Sequence, residues 1–489
     1  MDDLPDRLAT IAEHGSPRGA DLVWREARRR LRRRTRTRAL GAGIAIAAAI
    51  AVVLAVVLPR GSTPPHRPPV VSSRVLALPR TATLARADVA RSSGKGVSTS
   101  AVVAADAAFG FDLYEKLRTS AGNLIFSPQS LAAALAMTVV GAHGPTESEM
   151  LHVLHASDTT QLSLQLNALD QRLVVPRNGS TPDTSPNEIT IPGIGVPHDG
   201  SPARITIDNS MWAQAGYPFY KTFLNTIARY YGSGIHLVDY ENDPEAARIA
   251  INRYVSTNTG GRIPNLLRAG VVNQLTRFAL VNTLTFKGAW KTPFSSAGTQ
   301  NFHLLDGETA NVPAMRVKAN ATRGTGYQAV QLPYVGGASM TIVVPDLGHF
   351  DDVEQHLRQT LTAVRATFRD TPIAQREEVV LFMPKFDFSS SSKLNKPLEA
   401  LGMRTAFSDG ADFSNMTPTG GLTISHVIQD AHIAVDEKGT QAEAATAVLG
   451  EFKSLPPTLN VDRPFLFTIT DDATGAVLYL GRVTNPNAR

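Results

Sequence analysis

Residues 436–457 read Asp-Glu-Lys-Gly-Thr-Gln-Ala-Glu-Ala-Ala-Thr-Ala-Val-Leu-Gly-Glu-Phe-Lys-Ser-Leu-Pro-Pro, and this stretch decides how the fold is interpreted. Small residues dominate it from Gly439 to Ala447, and that part contains no proline. Every backbone N–H there is therefore available to a central β-strand, where close neighbours leave room only for small side chains. Pro456 and Pro457 cannot donate a backbone hydrogen bond, so the segment is competent to form a strand only upstream of them.

The side chains of this segment alternate in size and polarity. Successive side chains of a strand point to opposite faces. One face would carry the small residues Thr440, Ala442, Ala444 and Thr446, and the other would carry Gln441, Glu443 and Ala445. Such a strand buries its small face and leaves the other in solvent. A flexible surface loop has a similar composition, and only the rest of the chain separates the two interpretations.

Short motifs occur in a characteristic order along residues 102–489. They include Asn123-Leu-Ile-Phe-Ser127-Pro128-Gln-Ser130, Asn209-Ser-Met-Trp212, Asn282-Thr-Leu-Thr-Phe-Lys-Gly-Ala-Trp290, Met383-Pro-Lys385-Phe386, Arg463-Pro-Phe465 and Leu480-Gly-Arg482. Each motif is weak alone, but the ordered series makes chance implausible. With residues 436–457, the series resembles the serpin family of serine protease inhibitors, and residues 102–489 are identified as one serpin domain.

The resemblance implies an α+β fold with a large mixed or antiparallel main sheet, further sheets, about eight to nine helices and an exposed reactive-centre loop. The residues themselves agree with it. Ser127 followed by Pro128 is an N-cap with proline at the first helical position, and the apolar helix after it should be buried. Short strands are expected at 340–344, 465–470 and 477–483. Helical patterns precede strand patterns without βαβ alternation, as in α+β proteins.

The resemblance also implies a mechanism, suicide inhibition of serine proteases. In that family the target protease cuts the loop and forms an acyl-enzyme, and the cleaved loop then inserts into the main sheet and traps it. The matching hinge residues here are Glu437, Gly439, Thr440, Ala442, Ala444 and Thr446. Glu443 departs from the family's preference for alanine, but it falls on the outward face, where we expect little harm. The alternative is a non-inhibitory serpin that serves as an extracytoplasmic binding or scaffold domain.

Counting along the family's loop places the reactive bond at Lys453–Ser454. A lysine before the scissile bond fits the Asp-bottomed pocket of trypsin-like serine proteases, which would form a covalent complex with the chain. A register shift of one residue to Phe452 would favour chymotrypsin-like targets. No catalytic motif is recognisable, so we do not expect an enzyme, and nothing in the sequence points to a cofactor.

Five further residues match family positions that control opening of the main sheet. Ser127, Ser130 and Asn282 match a polar cluster called the shutter, which lies beneath the strands that part. Trp290 matches the aromatic residue at the top, where insertion begins. Gln429 stands where the family usually has histidine. Glutamine both donates and accepts hydrogen bonds, although it cannot become charged.

The N-terminal region predicts a membrane anchor. Residues 39–58 carry no charge, and at about 1.5 Å per residue they span one hydrocarbon core of about 30 Å. The arginine-rich segment 1–38 precedes them, so the positive-inside rule keeps the N-terminus cytoplasmic and exports the rest of the chain. A cleaved signal peptide competes, but its apolar region is usually shorter and no clear cleavage site is present after residue 58.

Composition narrows the remaining possibilities. Residues 59–101, rich in proline, serine and arginine, are assigned to a linker. The Pro/Gly/Ser-rich stretch 176–203 is expected to be an exposed insertion of unknown role.

The chain has a net charge of +5 while residues 1–60 alone carry +6, so the exported part offers no basic surface for nucleic acid. The chain contains no cysteine, so disulfides and thiol chemistry are impossible. We expect a monomer.

Overall fold

The computed structural model describes residues 82–173, 188–189, 205–286, 288–440 and 456–488. Nine α-helices lie in this described part, in agreement with the expected α+β class. They are α1 (Ser100–Leu117), α2 (Pro128–Val139), α3 (Gly144–Val153), α4 (Thr159–Leu173), α5 (Lys221–Tyr231), α6 (Pro244–Asn258), α7 (Phe350–Gln355), α8 (Leu357–Asp370) and α9 (Asn395–Leu401).

The main sheet contains seven of the described strands. They are β1 (Thr83–Ala85), β3 (Glu188–Ile189), β4 (Ile205–Gln214), β5 (Ile235–Val238), β6 (Phe278–Phe286), β13 (Phe386–Lys393) and β14 (His426–Val435). Their order is β1-β5-β4-β6-β14-β13, with β3 on the free part of β4. The two central neighbours, β6 and β14, are parallel and paired from His426–Ala279 to His432–Thr285.

A second sheet of nine strands follows the order β16-β12-β9-β10-β11-β17-β18-β2, with β8 on β9. These strands are β2 (Leu124–Phe126), β8 (Ser295–His303), β9 (Thr309–Gly324), β10 (Tyr327–Pro333), β11 (Ala338–Pro345), β12 (Glu377–Pro384), β16 (Thr458–Asn460), β17 (Phe465–Asp471) and β18 (Val477–Val483). The strands expected from the sequence at 340–344, 465–470 and 477–483 are all confirmed.

Helix α2 forms as its sequence predicts and lies in the main core. The hydroxyl of Ser127 accepts a hydrogen bond from the backbone N–H of Ser130, and Pro128 occupies the first helical position. All but one of the residues of α2 are buried. The hydrophobic cluster that contains α2 also includes Leu280, Leu284 and Ala431 of the main sheet. A separate cluster beneath α6 contains Trp212, Val281 and Ile428. Alternation along the strands therefore supplies both clusters.

The folded unit begins earlier than the sequence indicates. Composition assigns the linker to 59–101, but the structure places its last part, from residue 82, on the domain. Strand β1 extends the main sheet by pairing with β5, and Arg91 donates hydrogen bonds to Asn167 and Asp170 of α4. A strand of three residues and isolated contacts of one arginine leave no hydrophobic periodicity in the sequence. The docking of this segment could therefore not be predicted from the sequence.

The remaining N-terminal predictions lie outside the described residues. They concern the cytoplasmic segment 1–38, the membrane span 39–58 and the linker up to residue 81. Within the described ranges, no helix is both long enough and apolar enough to span a membrane. Of the insertion 176–203, the structure describes only β3, which pairs with the beginning of β4.

Candidate functional site: the hinge and the sheet-opening cluster

The chain reverses direction directly after β14. The backbone N–H of Asp436 donates to the carbonyl oxygen of Gly439 at 2.9 Å, and the carboxylate of Asp436 accepts from the N–H groups of Lys438 (2.9 Å) and Gly439 (3.2 Å). These bonds form a tight turn at the beginning of the predicted hinge. Glu437 lies within this turn.

After the turn, the hinge begins to run as an added strand. Strand β15 (Gly439–Thr440) pairs antiparallel with β7 (Gly288–Ala289), which comes after β6 along the chain. A strand that entered between the parallel pair β6 and β14 by this route would have the same antiparallel direction. The approach is close, because Gly439 has φ of +152° and a Cβ atom there would overlap the carbonyl oxygen of Gly288. Glycine is therefore required at position 439.

Trp290 holds this turn in place. Its indole N–H donates to the carbonyl oxygen of Asp436 at 2.9 Å, and its backbone N–H donates to the carbonyl oxygen of Lys438 at 3.0 Å. The indole ring is 2% exposed and stacks on Tyr334, with ring centroids 4.3 Å apart and planes 12° apart. The structure thus places Trp290 against the turn formed by Asp436–Gly439.

Lys385 also contacts the hinge, although the sequence assigns it no role of its own. Its ammonium group lies 2.5 Å from the carboxylate of Glu437, and both side chains are partly buried. Lys385 precedes β13 within the Met383-Pro-Lys385-Phe386 motif, and that motif is the available signal. A partly exposed ion pair of this kind contributes on the order of 1 kcal/mol or less, so it positions the hinge more than it stabilises the domain.

The shutter residues form one connected hydrogen-bond cluster beneath β6 and β14. Asn282 donates to the hydroxyl of Ser130 at 2.5 Å and contacts Asn209, and Gln429 donates to the side-chain oxygen of Asn282. Gln429 also exchanges hydrogen bonds with the backbone of Ser127, each at 3.3 Å. All four predicted residues, Ser127, Ser130, Asn282 and Gln429, therefore meet at one place.

Asn209 is the member of this cluster that sequence reasoning missed. It pairs with Asn282 across β4 and β6, and Asn282 pairs with Gln429 across β6 and β14. Three amide side chains thus occupy one row across three adjacent strands. The signal is its place in the Asn209-Ser-Met-Trp212 motif, but strand register cannot be read from one sequence.

His432 does not replace the missing shutter histidine. It lies three residues beyond Gln429 on β14 and therefore faces the opposite side of the sheet. There its ring is 3.3 Å from the hydroxyl of Ser389 and 3.7 Å from the carboxylate of Asp387. Burial lowers the pKa of His432, and the nearby charge of Asp387 acts in the opposite direction.

Several predicted loop residues lie outside the described part of the chain, namely Ala442, Ala444, Thr446, Lys453 and Ser454. Thr440 is described only by its backbone. In the described part of the chain, no group of three or more histidine and acidic residues is arranged to bind a metal ion.

Comparisons with known proteins agree with this architecture. A family model described as serpin (serine protease inhibitor) matches residues 104–486. Leukocyte elastase inhibitor of Bos taurus is 33% identical over 399 residues, covering 78% of this chain and 99% of that protein. Among solved structures, human thyroxine-binding globulin complexed with thyroxine has a TM-score of 0.67 at 26% identity, covering 80% of this chain and 100% of that chain. Tengpin, a thermophilic serpin in its native state, has a TM-score of 0.68 at 26% identity and covers 82% and 99%.

These matches extend over nearly all of the described domain and define the class of protein. The chain belongs to the serpin family.

Proposed function

We propose that this chain is an irreversible suicide-substrate inhibitor of serine proteases, one that traps its target as an acyl-enzyme. The observation that carries the proposal is the arrangement around β6 and β14. These parallel strands are direct neighbours, and the chain that leaves β14 turns back at once to pair antiparallel with β7. After cleavage, β15 could continue between β6 and β14. The hydrogen-bond ladder between β6 and β14 would then be replaced by two ladders, one on each side of the added strand.

The inward face of that added strand would consist of small side chains. Its residues after Gly439 are Thr440, Ala442, Ala444 and Thr446, all small. A bulky residue there would overpack the core, and a charged one would be buried without a partner; both slow insertion. Slow insertion lets the protease hydrolyse the acyl-enzyme and escape, so the small residues favour inhibition over simple cleavage.

The amide cluster supplies the resistance that keeps the uncleaved form from rearranging. Parting β6 from β14 separates Asn282 from Gln429, which hydrogen-bond across that boundary. Buried polar groups that lose their partners cost about 1–3 kcal/mol each. The uncleaved chain is thus held by kinetics short of its most stable arrangement.

For specificity, we propose Lys453–Ser454 as the reactive bond and trypsin-like proteases as the targets. The ammonium group of a lysine can form an ion pair with the buried carboxylate of a trypsin-like specificity pocket. The competing assignment, a bond after Phe452, predicts chymotrypsin-like targets instead. Lys453→Ala separates the two, because it abolishes inhibition of trypsin only if Lys453 precedes the scissile bond.

The alternative function is that of a non-inhibitory, extracytoplasmic binding or scaffold domain. A cavity of about 540 Å³ beside α1, α8 and the second sheet is the described feature that favours it, and this volume is ordinary for a small-molecule site. Phe111, Phe368 and Arg365 are among its lining residues. The small inward face of the hinge segment has no purpose under this alternative, so inhibition remains the better explanation.

We further propose that the domain acts as a monomer outside the cytoplasm, anchored through residues 39–58. The absence of charge in that segment and the arginines before it support this topology.

Incubation of the full-length chain with trypsin, followed by denaturing gel electrophoresis, tests the proposal. A covalent band at the summed mass of the two proteins is expected, and Lys453→Ala should lose it. Cleaved chain beside fully active trypsin, and beside fully active chymotrypsin in a parallel incubation, would support the non-inhibitory alternative.

A further inference from the structure

The face of the main sheet beneath α6 carries a row of oxygen-bearing side chains. Asp208 of β4 pairs with Thr283 of β6, and Thr283 pairs in turn with Asp430 of β14. Residues that pair directly on neighbouring strands point to the same face of the sheet. Tyr254 and Asn258 of α6 both donate hydrogen bonds to the carboxylate of Asp208, so α6 covers this face. Two carboxylates thus flank one hydroxyl across three adjacent strands.

The hydroxyl and one of the two carboxylates are buried and incompletely hydrogen-bonded. Thr283 is 1% exposed, and Asp430 is 8% exposed. Among the described residues, the hydroxyl of Thr283 has no hydrogen-bond partner, and neither has one carboxylate oxygen of Asp430. Buried polar atoms in proteins are nearly always paired. Because these two atoms belong to neighbouring residues of one row, both are available to contact a single bound partner.

The charge of the row favours a cation as this partner. Burial beneath α6 raises the pKa of Asp208 to about 6 and that of Asp430 to about 7, because each carboxylate loses hydration. At Asp430, no charged side chain in the described part of the chain offsets this effect, although Arg262 acts on His432 in the neighbouring row. A water molecule would satisfy the hydrogen bonds but not the negative charge, whereas a divalent cation would satisfy both.

The spacing of the row suits calcium. Neighbouring strands lie about 4.8 Å apart, so a carboxylate on each side of Thr283 can reach a cation held at its hydroxyl. Calcium takes oxygen ligands at about 2.3–2.6 Å in flexible geometry, and water completes its coordination. Ser391 of β13 is the next residue of the row after Asp430 and is exposed, so the row opens to solvent at that end.

We propose that Ca²⁺ binds beneath α6 between Asp208, Thr283 and Asp430, and that it bridges β6 and β14, the two strands that part during loop insertion. Asp208 and Thr283 lie on one side of that boundary, and Asp430 lies on the other. With two carboxylates and one hydroxyl as protein ligands, the affinity should resemble that of extracellular calcium modules, with a Kd of about 0.1–1 mM.

The consequence of this bridge for inhibition rests on the proposed function, whereas calcium binding itself does not. A strand inserted between β6 and β14 would place Thr283 and Asp430 two strand spacings apart, about 10 Å. One cation could then no longer contact both residues. Calcium therefore binds the closed sheet in preference to the opened one, and it should slow insertion, because a ligand stabilises the state to which it binds more tightly.

The first test measures the unfolding temperature of the uncleaved, full-length chain at pH 8 in EDTA and in increasing CaCl₂, with NaCl of equal ionic strength as the reference. The unfolding temperature should rise with CaCl₂ and saturate in the millimolar range. Thr283→Val and Asp430→Asn should both lose this rise. Asp387→Asn removes a mostly exposed carboxylate from the same face of β13, so it is the matched control and should keep the rise. In EDTA, Thr283→Val should unfold no earlier than the wild type, which separates loss of the site from a folding defect.

The second test counts the chains consumed for each trypsin molecule inactivated. Because slower insertion lets the protease escape, CaCl₂ should increase this ratio at least about twofold for the wild type and leave it unchanged for Thr283→Val. Any effect of calcium on trypsin itself is common to both variants and cancels in the comparison.

The possible failures are distinguishable. If CaCl₂ raises the unfolding temperature no more than NaCl does, or raises it equally in all variants, the calcium site is refuted while inhibition by insertion stands. A rise that depends on Thr283 without any change in the ratio would refute the bridge between β6 and β14. A rise that depends on Thr283 in a chain that forms no covalent complex with trypsin or chymotrypsin would leave the calcium site in place and overturn the proposed function.

Discussion

The indole N–H of Trp290 donates to the carbonyl oxygen of Asp436 at 2.9 Å, so a buried aromatic side chain is hydrogen-bonded to the residue at which the chain leaves the main sheet. The turn after β14 is closed by the carboxylate of Asp436 itself. Burial raises the pKa of this carboxyl group, whereas the bonds from Lys438 and Gly439 lower it. The first residues after β14 are thus held by hydrogen bonds from Trp290 and by the turn of Asp436 itself.

Replacement of Trp290 tests whether its hydrogen bond to Asp436 stabilises the turn after β14. Trp290→Phe removes one hydrogen bond to a partly buried carbonyl oxygen and leaves a small void, so the uncleaved chain should lose about 1–3 kcal/mol of unfolding free energy. Backbone amides of Lys438 and Gly439 should also exchange hydrogen faster. Trp212→Phe is the matched control, because it removes a 2.9 Å bond to the hydroxyl of Ser210 beneath α6. Equal acceleration of hinge exchange in both variants would contradict the role given to Trp290.

A single charged substitution tests whether insertion depends on the small side chains of the inward face of the hinge segment. Thr440→Arg places a guanidinium where the inserted strand faces the core, so insertion should slow and the chain should be consumed as a substrate. The number of inhibitor molecules used per protease inactivated measures this change and should rise at least tenfold. Gln441→Arg adds the same charge to the outward face and should change the ratio little. A similar loss in both variants would show that the alternation of faces does not govern insertion.

The amide cluster should stabilise the uncleaved chain. Asn282→Ala leaves Ser130, Asn209 and Gln429 each without one partner, and the unfolding free energy should fall by roughly 2–4 kcal/mol. The measurement is urea unfolding of the uncleaved chain. Thr283→Val, next along β6, is the control, because the buried hydroxyl of Thr283 has no hydrogen-bond partner and its loss should be neutral or stabilising. Equal destabilisation by both changes would argue against the cluster.

Asp106 on α1 predicts a pH dependence of stability. Its side chain is buried, one carboxylate oxygen has no hydrogen-bond partner, and burial raises its pKa well above the ordinary value. The stability tied to its protonation is therefore complete below the unfolded-state pKa of about 3.9 and is lost as pH rises toward the folded-state value. Asp106→Asn should stabilise the chain at pH 7 and have little effect near pH 4.

Urea midpoints at the two pH values measure this difference. Asp112→Asn provides the control, because Asp112 is partly exposed and paired with His155 and Arg358, so its removal should not stabilise the chain at pH 7. A uniform loss of stability in Asp106→Asn at both pH values would show that the amide fails for steric reasons rather than through ionisation.

Local chemistry makes several elements predictable from the sequence. The cap at Ser127, the buried helix after it and the strands ending in Val483 each depend on residues close together in the chain. Trp290 and the four shutter residues are recognisable because they belong to motifs of a known family. Strand pairings that the sequence does not encode locally bring the four shutter residues together and bring Trp290 to the turn after β14.

Other features could not be foreseen for the same physical reason. Asn209 joins the amide cluster through the register of β4 against β6, and Lys385 reaches Glu437 from the position just before β13. The docking of residues 82–99 depends on single contacts such as Arg91 with Asp170, which leave no periodic signal. Long-range pairing, rather than local preference, decides these positions.

Hydrogen exchange on the loop-cleaved, full-length chain tests the central claim most directly. Insertion predicts that backbone amides of residues 441–447 become strongly protected after cleavage, and that β6 and β14 stay protected although they no longer pair with each other. Exchange of residues 441–447 at the rate of an open chain, with β6 and β14 unchanged, would contradict the account.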